Sequence, residues 1–142
     1  MENKFEISAF ILRVVLGITF FVHGFVKFQG GIENTVGWFS SIELPGFLAY
    51  VVALIEVVGG LALVLGLFTR IVSILIALVM VGAIIKVKLA AGFLGNGQMA
   101  GYELDVAFLV MAVSIAITGS KAFALEQFIF KGSKAENTTT IK

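Results

Sequence analysis

Long apolar runs separated by short polar stretches organise this chain. Residues 7–28 form the first, interrupted only by Arg13, His23 and Lys27. Residues 46–68 form the second, opened by Pro45, whose missing N–H costs nothing at a helix start, and carrying the single charge Glu56. Thr69-Arg70 separates it from the third, residues 71–90, so these two runs are expected to form a tight antiparallel hairpin. Residues 102–119 form the fourth and end in Gly119-Ser120-Lys121, a suitable helix stop. A bilayer core about 30 Å thick takes roughly 20 apolar residues per helix, so the pattern predicts an all-α polytopic membrane protein, a four-helix transmembrane bundle. One membrane domain covers residues 1–130, and the polar tail 131–142 is expected to be disordered.

The connections add detail. Residues 29–44 combine Gly30-Gly31 with Ile32, Val36, Phe39 and Ile42 at helical spacing beside Trp38, which predicts a short interfacial amphipathic helix with Trp38 as a boundary anchor. Residues 92–101, with four glycines and Asn96, read as a flexible loop. The first run differs from a cleaved signal peptide because Arg13 lies inside it and no small-x-small cleavage site follows.

Composition narrows the chemistry. The chain has 142 residues, 59% hydrophobic and 13% charged, with a mean hydropathy of +1.07. A net charge of +1 lacks the basic excess of a nucleic-acid binder. With no cysteine and one histidine, the chain supplies no ligands for an iron–sulfur cluster, a thiolate zinc site or bis-histidine haem. Redox chemistry here would use a bound organic cofactor. With four spans, both termini and the 69–70 hairpin share one side. Lys4, Arg13, Arg70, Lys121, Lys131, Lys134 and Lys142 fall there, against Lys27, Lys86 and Lys88 opposite. The positive-inside rule then places both termini in the cytoplasm.

Charges inside apolar runs are the candidate functional residues. At about 100° per residue, Arg13, Gly17, Phe20, His23, Gly24 and Lys27 share a sector of roughly 120°. Such a face looks toward other helices, although Arg13 and Lys27 also lie near enough to a helix end to snorkel to the headgroups. Glu56 stands about 15 Å into its helix, near the midplane, where snorkelling cannot reach water. Gly59 and Gly60 beside it allow a backbone or a flat ligand to come close. Glu56 therefore marks either a functional site or a buried ion pair that fixes helix register. Lys86 and Lys88 close the third run at the level where Glu103 and Asp105 open the fourth, so the outer half collects a balanced charge cluster around a cavity. Asp105, about 200° from Glu103, is expected to face away from it.

These residues, in this order, resemble the DoxX family of small four-span bacterial membrane proteins. The resemblance rests on Arg13 with Leu16-Gly17, Phe20, His23-Gly24 and Lys27-Phe28, on Glu56 with Gly59-Gly60, Gly66 and Thr69-Arg70, and on Met80, Gly92-Phe93 and Gly101-Tyr102-Glu103. It spans roughly residues 7–120 and is nearest to the catechol- and quinone-associated oxidoreductases of Bacillus-type bacteria. Many members carry a histidine before Gly-Phe where this chain has Lys88, which leaves His23 as the only imidazole for proton exchange. The resemblance implies a bacterial cell-membrane oxidoreductase that holds a quinone or catechol-like ring in an outward-facing cavity. In that reading Glu56 and His23 exchange protons, and Arg13, Lys27 or Lys86 bind the ring oxygens. Gly59 and Gly60 flank the ring, Lys88 and Glu103 complete the polar lining, and an electron-donating partner protein supplies the electrons. Two other classes remain open. One is a proton- or cation-coupled transporter using Glu56, for which four spans would favour a homodimer. The other is a non-catalytic membrane scaffold or chaperone.

Overall fold

The computed structural model describes residues 2–129, so the expected disordered tail at 131–142 lies outside the described residues. Helix α1 (Glu2–Gln29) begins before the apolar run and takes in the polar first turn. Helix α2 (Ile32–Ser41) is the short amphipathic element foreseen between the first two runs, with Ile32 and Phe39 buried. The second run is one rod made of α3 (Phe47–Leu54), a π turn (Ile55–Gly59) and α4 (Gly60–Leu65). The third is α5 (Thr69–Ala83), continued by a second π turn (Ile84–Lys88) and a 3-10 turn (Leu89–Ala91). The fourth is α6 (Glu103–Thr118). No β-strand occurs among the described residues; a lone bridge between Gly95 and Ala100 ties the 92–101 segment into a compact turn.

Among the described residues, three helices are long and apolar enough to cross a membrane: Asn3–Gln29, Phe47–Leu65 and Thr69–Ala91. With 16 residues, α6 measures about 24 Å and falls short of a full hydrocarbon core on its own. It nevertheless runs beside α5 from end to end, meeting Lys88 through Asp105 and Arg70 through the Thr118 carbonyl. The α4–α5 hairpin is closed by a Schellman motif, in which Gly66 N–H donates to Leu63 O and Leu67 N–H to Ala62 O. Gly66 has φ 72, and a Cβ there would strike Ala124 and the Arg13 guanidinium, so the turn requires glycine twice over.

The core joins Leu16 and Phe20 of α1, Leu63 of α4, Val72, Ile76 and Met80 of α5, and Ala112 and Ile115 of α6. Helix α1 packs on α4 and the first π turn, where Gly17 meets the Gly60 carbonyl and Gly24 meets Val57. The outer faces carry exposed Ile11, Ile18, Val22, Leu61, Ile71, Leu78 and Val110, the apolar exterior of a membrane protein. After α6 the chain hooks back beneath α1. Glu6 accepts the Lys121 and Ala122 N–H groups, and Arg13 donates to the carbonyls of Ser120 and Phe123.

Candidate functional site

Glu56 lies in the first π turn and is buried. Gly59-Gly60 weakens the regular ladder here while α1 presses closely on it, conditions under which a wider i→i+5 turn can persist. Lys27, in the last turn of α1, donates to Glu56 Oε2 at 2.5 Å. The second π turn carries Lys86 and Lys88, and Lys88 Nζ lies 2.5 Å from Asp105 Oδ2 in the first turn of α6. Both carboxylates are more buried than their lysines.

Both pairs line one cavity of about 550 Å³, together with His23 and Lys86. Lys86 has no ion-pair partner among the described residues. The remaining wall is apolar and includes Phe20, Trp38, Phe39 and Phe108, with Phe20 and Phe108 edge to face at 5.7 Å. His23 Nδ1 lies 2.8 Å from the Thr19 carbonyl. A carbonyl only accepts, so Nδ1 carries a proton there, and in the neutral form of the ring Nε2 is the acceptor. The cavity thus offers cationic donors, two carboxylates and one imidazole on an aromatic wall. Such a set can orient an oxygen-bearing ring and exchange protons with it.

The structure brings His23, Lys27, Glu56, Lys86 and Lys88 of the expected set together and leaves the others elsewhere. Arg13 is fully buried near the opposite end of the bundle, donating to Ser120 and Phe123 and lying over the Phe10 ring at 5.3 Å. It neither snorkels nor lines the cavity. Gly59 packs toward Val72, and Gly60 against the backbones of Gly17 and Phe21, so both serve helix approach. Glu103 is exposed outside the cavity, whereas Asp105 is buried in its lining. This reverses the expectation for those two. The half-turn between them holds, but α6 is apolar on every side and its sequence does not show which face turns inward. Trp38, expected as a boundary anchor in preference to a ligand-stacking residue, belongs to the wall. No group of three His, Cys, Asp or Glu side chains that could hold a metal occurs among the described residues.

The DoxX family model matches residues 8–89, which include Lys27, Glu56, Lys86 and Lys88 but stop short of Asp105. The chain is 50% identical over 139 residues to the candidate oxidoreductase CatD of Bacillus subtilis, covering 98% of this chain and 99% of that protein. It is 29% identical over 138 residues to an uncharacterised membrane protein of Mycobacterium tuberculosis, covering 90% and 85% respectively. No solved structure matches the chain.

Proposed function

Because the chain belongs to the DoxX family, we propose that it is a four-span membrane oxidoreductase, or the membrane subunit of one, acting on a quinone or catechol-like ring. The observation that carries this reading is the convergence of two lysine–carboxylate pairs, His23 and an aromatic wall on a single cavity. An apolar cavity with a few convergent polar groups is the usual form of a small-molecule site. A further support is that π turns, uncommon elements often found at functional sites, supply Glu56, Lys86 and Lys88.

Reducing a quinone to its quinol adds two electrons and two protons. Negative charge grows on the ring oxygens as electrons arrive, and the Lys27 and Lys88 ammonium groups would stabilise it. Glu56 and His23 Nε2 would pass the protons, and an electron-donating partner protein would supply the electrons. Below Glu56, Leu16, Leu63, Ile76 and Ile115 fill the bundle, which favours a blind pocket over the path a transporter needs. Counting α6 as the fourth span puts both termini on the side of Lys4, Arg70 and Lys121, cytoplasmic by the positive-inside rule, with the cavity facing outward.

The test is organic extraction and mass spectrometry of protein purified in mild detergent, comparing wild type with Glu56→Gln, Lys27→Gln and, outside the cavity, Glu103→Gln. Quinone should accompany wild type and Glu103→Gln and fall on the order of tenfold in the other two, the effect of losing one charged hydrogen bond. If no sample contains quinone and added quinone does not bind, the reading fails, and transport through Glu56 or a non-catalytic scaffold takes its place.

A further inference from the structure

The cavity wall is incomplete on one side. Helix α5 packs against the first π turn and α4 but has little contact with α3, so the two helices part beyond Glu56. Val51 of α3 and Leu78 of α5 both line the cavity, yet Val51 is 42% exposed and Leu78 63%. Side chains that face the cavity and the exterior at once mark a slot through the wall. Gly82, one turn along from Leu78, also lines the cavity, and a Cβ there would meet nothing within 4 Å. Both helices belong to candidate membrane spans, so the slot opens toward hydrocarbon rather than water.

Polarity changes sharply along this path. Lys27, Glu56, Lys88 and Asp105 mark the polar part of the cavity, whereas Val51, Leu78 and Gly82 at the slot offer no polar side-chain atom. An amphiphile with a polar ring and a hydrocarbon tail fits that gradient, because the tail stays out of water while the ring reaches the charges. We infer that the ring carries a long hydrocarbon tail, that the tail passes between α3 and α5 into the lipid, and that Val51, Leu78 and Gly82 govern the choice between tailed and tail-less rings. The inference rests on the ring-binding reading given above.

Trp38 is the chain's single tryptophan and lines the cavity, so a bound quinone should quench its fluorescence. The experiment titrates the purified chain, in one detergent, with a benzoquinone bearing a decyl tail and with its tail-less analogue. Wild type is compared with Gly82→Ala, Gly82→Phe and Leu78→Phe, the last at an exposed position that leaves the core untouched. Both rings should quench wild type and Gly82→Ala. The phenylalanine variants should weaken the tailed ring on the order of tenfold and the tail-less ring much less. Equal effects on both rings, or none on either, overturn the slot as a tail passage and leave it to lipid acyl chains. If neither ring quenches wild type, the ring-binding reading falls, and this inference falls with it.

Discussion

Lys27 and Glu56 show how one residue's meaning depends on another far along the chain. Glu56 stands out in sequence because a carboxylate within an apolar run is costly, and Lys27 because it interrupts another such run. Removing one partner strands the other, so Lys27→Met should lower stability by about 3 kcal/mol, the lower part of the range for buried pairs because its side chain keeps 26% exposure. Lys27→Met with Glu56→Gln should regain most of that loss, and thermal unfolding of the two variants in detergent checks the difference. Equal midpoints for the single and double variants would show that the pair is not coupled. The same logic explains what the sequence withheld at this scale. Asp105 is paired from another element, and no local feature separates it from Glu103. Gly59-Gly60 signals close approach of any kind, and the structure assigns that approach to neighbouring helices.

The elements themselves were legible wherever an apolar run was long and ended in a polar stretch. Helices α1, α3 to α5 and the short α2 follow the pattern to within a few residues. The π turns were not legible, since a one-residue slip in phase leaves no trace where apolar side chains occupy every face. Their effect is to re-aim Glu56, Lys86 and Lys88 relative to the helices that carry them. Val58 lies in the first π turn and is exposed. Deleting it should restore a regular helix and keep the α1–α4 packing. The unfolding midpoint should therefore stay close to wild type while quinone affinity, read by Trp38 quenching, falls on the order of tenfold or more as Glu56 is misplaced. Unchanged affinity would mean that the π geometry does not position the site. Helix α6 was legible as well, to within one residue at each end of the 102–119 run, which was already the shortest of the four.

On the scale of the molecule, the end of the bundle where the start of α1 meets the segment after α6 is a clasp and the other end is a cavity. Arg13 closes the clasp, holding the segment after α6 through carbonyls, with Glu6 receiving two N–H groups beside it. Arg13→Gln should therefore cost about 2 kcal/mol, the range for hydrogen bonds from a charged donor, and leave ring binding at Trp38 unchanged. Loss of binding at an unchanged midpoint would return Arg13 to the ring site, where the sequence alone had placed it. The clasp also sets an order of events during synthesis. The carbonyls that receive Arg13 lie 107 and 110 residues later in the chain, so at about 5 to 20 residues per second the guanidinium waits roughly 5 to 20 s before they are made. Until then α1 has an uncompensated charge within its apolar stretch, and the first helix to be made is fastened only after the segment beyond the last one exists.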